Sequence, residues 1–163
     1  MPRSLTYVGI GGVAGVLGAI GLGWGLLSDS KGDIGEEQIT VYKSPSCECC
    51  DHWEEHLREA GFDVESVIAE QQQINQVRYQ HGITPELVSC HTGVIEGYAV
   101  EGHVPAEDIK SMLEERPDIA GLAVPRMPIG SPGMEVPGAA PEPFDVIAFQ
   151  EDGQTRVFNH HSP

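Results

Sequence analysis

Uncharged residues run unbroken from Tyr7 to Leu27, YVGIGGVAGVLGAIGLGWGLL, a stretch of 21 positions. About 20 apolar residues suffice for a membrane-spanning helix, and glycine is commoner in such helices than in soluble ones. The pattern predicts a transmembrane anchor over 7–27. A short cytoplasmic N-terminus precedes it at 1–6, and an acidic linker follows at 28–38. Arg3 lies before the segment and SDSKGDIGEE after it, so the positive-inside rule puts residues 39–161 outside the cytoplasm. The alternative is a cleaved signal peptide, but its apolar region is usually shorter and ends at a small-residue site, which GWGLLSDS does not offer. The expectation is a single-pass protein of the cell membrane with its soluble domain on the extracytoplasmic side.

Past residue 38 the apolar positions change period. ITVYK (39–43) is rich in β-branched and aromatic residues and predicts a strand. SPS follows as a turn, with Ser46 a candidate helix N-cap. Trp53, Leu57 and Ala60 recur at helical spacing over 50–60, with glutamates on the other side, and Gly61 is the expected stop. FDVESVI (62–68) predicts a second strand. Residues 69–82 predict a second helix with Ile74, Val77 and Tyr79 or His81 near one face. LVSCHTGVIEGYAVEGHV (87–104) predicts a hairpin turning near Glu96-Gly97. PAEDIKSMLEER (105–116) opens with proline and acids, both helix-start signals. Residues 121–143 are rich in Pro and Gly and read as a long irregular loop. FDVIAFQEDGQTRVF (144–158) closes the pattern as a hairpin around Asp152-Gly153. The order β-α-β-α-β-β-α predicts an α/β fold, a three-layer thioredoxin-like domain with an added loop and hairpin.

The chain carries 25 carboxylates against 9 Lys and Arg, for a net charge of −16 over 163 residues. Phosphate attraction dominates nucleic-acid binding, so nucleic acid is excluded as a partner for a basic face. Only Lys31, Lys43 and Lys110 are lysines. Abundant carboxylate with scarce lysine is the habit of proteins from salt-loving organisms, where ionic strength screens the self-repulsion. An ordinary acidic extracytoplasmic protein fits as well.

Three of the four cysteines fall within VYKSPSCECC, as Cys47, Cys49 and Cys50; the fourth is Cys90. Their position, after the first strand and at the start of the first helix, is where thioredoxin-like proteins carry a reactive dithiol. A helix N-terminus favours the thiolate, which serves disulfide exchange and metal binding alike. A redox dithiol needs two sulfurs, whereas a soft-metal site gains from each additional thiolate. Copper(I) prefers thiolate and thioether, and Met127 and Met134 sit in the Pro/Gly loop. Zinc is an alternative, taking the three clustered cysteines plus Cys90 or His91 in a tetrahedron. Structural disulfides are a further alternative, weakened because a domain of this length needs no staples. Alternation along a strand would turn His91 away from Cys90, and His103 stands at a strand end. His52 and His56 have chelating i, i+4 spacing but share a helix with Glu54, Glu55 and Glu59. His160 and His161 read as a loose metal-capturing tail or as disorder.

Three blocks together, VYKSPSCECCDHW, LVSCHTGVIEGYAVEGHVPAEDI and GLAVPRMPIGSPGMEV, resemble the CopG-type copper-resistance domain, long catalogued as a domain of unknown function. The likeness runs from about Ile39 to His160. It implies a thioredoxin-like, extracytoplasmic protein that accompanies copper-resistance systems, with copper bound as a multinuclear cluster and with copper redox as a suggested role. Carried over by residue, Cys47, Cys49 and Cys50 form the C-x-C-C motif, and Cys90 with His91 the Ser-Cys-His block. His103 falls in the Gly-His-Val-Pro block, and Met127 and Met134 in the Met-rich loop. Copper-export or copper-oxidising proteins are the implied partners. A thiol-disulfide oxidoreductase using Cys47 and Cys50 is the alternative activity, and a zinc-bound interaction module the alternative binding role.

Overall fold

The computed structural model describes residues 37–163. The expected anchor over 7–27, the N-terminus 1–6 and almost all of the linker lie outside the described residues. Among the described residues no helix is long and apolar enough to cross a membrane. The elements are β1 (Gln38–Lys43), α1 (Glu48–Glu59), β2 (Asp63–Ile68), α2 (Gln71–Gln80), β3 (Thr92–Ile95), β4 (Tyr98–Gly102), α3 (Ala106–Glu115), β5 (Gly121–Val124), β6 (Phe144–Phe149) and β7 (Thr155–His161). The strands form one mixed sheet in the order β2-β1-β3-β4-β5-β6-β7. β1–β2 and β4–β5 are parallel pairs and the remaining pairs are antiparallel.

Strand alternation divides the interior into two cores, since successive side chains point to opposite faces. Val41, Val100, Leu122 and Val146 share one core with Trp53 of α1 and Met112 of α3. Their neighbours Ala99, Ala123 and Phe149 face the other way and pack with Ile83 and Leu87. α2 lies on that second side, where Arg78 reaches Glu101 of β4. The sheet is therefore covered on both faces around the strands that carry the cysteine and histidine blocks.

Four expectations need correction. Residues 121–124 are not loop: GLAV is β5, buried at all four positions and parallel to β4. A short apolar run covered on both faces has no alternation to reveal it. Gly121 is required there, because a Cβ would lie 1.9 Å from the carbonyl oxygen of Ala99. The N-cap of α1 is Cys47 rather than Ser46, and its side chain makes no capping bond. On α2 the buried residues are Ile74 and Arg78, whereas Tyr79 is 87% exposed. The terminal histidines are no loose tail, since both lie in β7. His160 Nδ1 meets Asp145 Oδ1 at 2.6 Å, and His161 Nε2 meets the buried Asp108 at 2.6 Å while stacking on Phe144.

α1 is held from beneath by charge. Lys43, the last residue of β1, is 4% exposed and lies 2.5 Å from Asp51 and 2.7 Å from the buried Glu54. Glu54 also meets Arg58 at 3.0 Å and accepts a hydrogen bond from Ser66. Burial opposes the charge on Lys43, but hydrogen bonds to Asp51 and Glu54 outweigh it and raise its pKa above 10.5. The same hydrogen bond holds Asp51 below 3.8. Removing one partner of a buried pair strands the other. Lys43→Met is expected to cost about 3 kcal/mol in urea unfolding at pH 7. The wild-type advantage should hold across neutral pH. It should shrink as pH falls through the range below 3.8 and Asp51 protonates, and again as pH rises past 10.5 and Lys43 loses its proton.

Candidate metal centre

Three separate pieces of chain deliver the site. The first is the turn from β1 into α1. Cys47 caps the helix, Cys49 and Cys50 fall in its first turn, and the acids Glu48 and Asp51 in that turn suit the positive end of the helix dipole. The second is the run Ser89-Cys90-His91, just ahead of β3. The third is His103, at the end of β4, one residue before Val104.

These pieces converge on Cys90. Its Sγ lies 3.9 Å from Cys49 Sγ, 3.3 Å from His91 Nδ1 and 3.0 Å from His103 Nε2. Cys49 Sγ in turn lies 3.6 Å from Cys47 Sγ. Two donor sets result, each with its ligand atoms within 4.8 Å of one another: Cys47, Cys49, Cys50 and Cys90; and Cys90, His91 and His103. Cys90 belongs to both. The expectation that His91 turns away is thus corrected. Cys90 and His91 precede the first residue of β3, so strand alternation does not govern them.

The structure also joins Cys47 and Cys50 in a disulfide, leaving Cys49 and Cys90 as free thiols. The sulfurs form a C-x-x-C pair with a third cysteine against it, and reduction of that bond is needed before all four serve as thiolates.

The two histidines are held in the neutral form that a metal ion would need. His91 is fully buried and His103 equally so. Burial, followed by the charge of His103, holds His91 well below 6.5. Burial lowers His103 also, against a hydrogen bond to Pro132. His103 Nδ1 lies 2.8 Å from the Pro132 carbonyl oxygen. A carbonyl only accepts, so Nδ1 carries the proton and Nε2 keeps a lone pair facing Cys90. His91 Nε2 is buried with no hydrogen-bond partner. The ring nitrogen that faces Cys90 is instead Nδ1, so the thiol is flanked by Nδ1 of His91 and Nε2 of His103, a donor set that suits a soft or borderline metal ion.

The loop after β5 closes over α1. Gly133 has φ +82, and a Cβ there would fall 2.7 Å from Trp53 N and 2.9 Å from Cys49 O. Only glycine permits that approach. Met134 follows it, half-buried, its N–H bonded to Ser131 O. Met127 is placed differently. It is 48% exposed and lines an open cavity of about 500 Å³ with Arg126, Glu142, Asp145 and His160. No cluster cysteine, nor His91 or His103, lines that cavity. His56 is already engaged, since its Nε2 accepts the Ala106 N–H that opens α3. Sequence reasoning missed Arg78 and Glu101, both buried behind Cys90. The available signal was a charged residue at an inward strand position of YAVEG.

A family described as a protein of unknown function, DUF411, matches residues 87–134. Two solved structures resemble the chain. Copper resistance protein CopG, form 2, is 41% identical, with a TM-score of 0.71 over 78% of this chain and 100% of that one. Form 1 of the same protein is 40% identical, with a TM-score of 0.72 over 79% and 100%. Comparison with curated proteins returned no match.

Burial, then the charge of Cys49, pushes the Cys90 thiol up to about 12 in the metal-free protein. Since the thiolate is the reactive form, Cys90 stays almost wholly protonated and slow to react through pH 9. Iodoacetamide at pH 7–9 should therefore modify Cys49 well before Cys90, as mass spectrometry of peptides would show. Equal rates at the two cysteines would contradict this electrostatic picture.

Proposed function

The chain belongs to the CopG-type family of copper-resistance proteins, and from that membership we propose that it binds Cu(I) through Cys47, Cys49, Cys50 and Cys90. His91, His103 and the Met134 loop complete the site. The observation that carries the reading is the sharing of Cys90 between an all-sulfur set and a sulfur–imidazole set. Thiolates suit Cu(I), and imidazole accommodates Cu(II) as well. A cysteine common to both sets is also suited to bridging more than one ion, in keeping with a multinuclear cluster and with copper redox. The part of the sheet from β1 to β4, with α1, α2 and α3, supports a thioredoxin-like reading, with the site at the position of a thioredoxin dithiol. Met127, half-exposed at the rim of its own cavity, is the weakest candidate ligand of the set.

The uncharged segment 7–27 supports a tethered protein with the domain on the extracytoplasmic side, able to meet copper-export or copper-oxidising proteins there. Membrane fractionation of the full chain with protease protection tests this. Release of the domain in soluble form, or protection on the cytoplasmic side, would remove it.

A second reading is a thiol-disulfide oxidoreductase, favoured by the Cys47–Cys50 disulfide. Zinc on the four cysteines is a third. Metal quantification on the reduced protein, purified without oxygen, separates them. The expected result is bound copper that zinc does not displace, with affinity for Cu(I) lowered at least tenfold by Cys49→Ser. Insulin reduction that survives Cys49→Ser, in a protein that retains no copper, would replace the copper reading with the dithiol one.

A further inference from the structure

Ser89-Cys90-His91 brings two ligand-type side chains to the centre, yet β3 begins only at Thr92. The run depends on side chains for much of its support. Ser89 N–H donates to Glu101 Oε1 at 2.7 Å, and Ser89 C=O accepts from Arg78 Nη2 at 2.9 Å. Arg78 and Glu101 pair with each other at 2.8 Å. The second carboxylate oxygen, Oε2, accepts from Thr92 Oγ1 at 2.6 Å. One ion pair thus satisfies both main-chain groups of the residue before Cys90 and grips the residue after His91. His91 O also accepts from Gly102 N–H, and Ser89 Oγ donates to the carbonyl of Arg126.

The location of the pair is informative. Glu101 is 0% exposed and Arg78 5%. Glu101 sits opposite Thr92 in the β3–β4 register and two residues before His103. The carboxylate therefore ties the strand that delivers His103 to the run that delivers Cys90 and His91. A buried ion pair is a poor device for stability alone, because desolvation offsets its attraction and an apolar pair of the same shape often does as well. An apolar pair could not bond the N–H and C=O of Ser89 together.

We propose that Arg78 and Glu101 are positioning residues of the metal centre, which hold Cys90 against His103 and so set how tightly the site takes its metal. This rests on the copper reading above. Outer-shell partners of metal ligands commonly change affinity ten- to a hundredfold.

Two full-chain variants test it, Arg78→Met/Glu101→Leu and the conservative Arg78→Lys, which keeps the charge but loses the planar fork. Each is measured by Cu(I) competition against a chelator, by unfolding midpoint, and by the alkylation rate of Cys90 in metal-free protein. The expected result for the double variant is a folded domain with a lowered midpoint, because Ser89 and Thr92 lose their partners, with Cu(I) affinity down at least about tenfold when measured well below that midpoint, and faster alkylation of Cys90. Arg78→Lys should fall between it and wild type in affinity. Wild-type affinity and alkylation rate in both variants would overturn the proposal. So would an affinity loss in either variant that only follows its loss of stability. Should the wild type bind no copper, the functional reading fails by itself, and the alkylation rates still decide whether the pair positions Cys90.

Discussion

Trp53 is the joint on which the rest of the domain depends. It is fully buried, its indole N–H donates to Val104 O at 2.8 Å, and its ring lies 4.2 Å from that of His91. One side chain thereby fixes α1 to the connection between β4 and α3 and walls one side of the histidine. Its neighbourhood is built around it. Gly93 leaves room for Ile39, which packs in the same core as the indole, and Gly133 seats the distal loop on the Trp53 backbone. The helix that carries Cys49 and Cys50, with Cys47 as its cap, and the strand end next to His103 are therefore registered by a buried hydrogen bond as well as by apolar contact.

The fold was legible wherever period carried information. α1 shows its apolar stripe and β6–β7 its Asp-Gly turn, so their types and approximate bounds follow from the residues. β5 was hidden because four apolar residues among prolines and glycines have no period, and only a parallel partner makes them a strand. The start of α1 was hidden because its capping residue makes no side-chain bond.

The site was partly legible for a different reason. Cysteine spacing carries chemical meaning whatever the exact backbone, so the sulfurs could be grouped from sequence. His91 was misjudged because a strand rule was applied to a residue outside the strand. Arg78 and Glu101 were missed because charged residues in a chain of net charge −16 read as surface, and the inward strand position of Glu101 gives no sign of its partner. Burial of a pair is a property of the tertiary fold, and neither residue reveals it alone. Lys43 and Glu54 repeat the lesson beneath α1, where a lysine that looks like a strand's solvent end is almost fully enclosed.

The order of exposure among the donors has a chemical consequence. Cys47, Cys49 and Cys90 are all partly open to solvent, whereas His91 and His103 are closed off. An ion arriving from water meets sulfur before it meets nitrogen. A strongly acidic chain attracts cations by charge without regard to kind, and charge alone cannot tell magnesium from copper. Hard ions keep their oxygen ligands in preference to thiolate, while soft ions exchange them. On the proposed copper reading, the sulfur rim would sort by hardness what the acidic surface attracts without distinction.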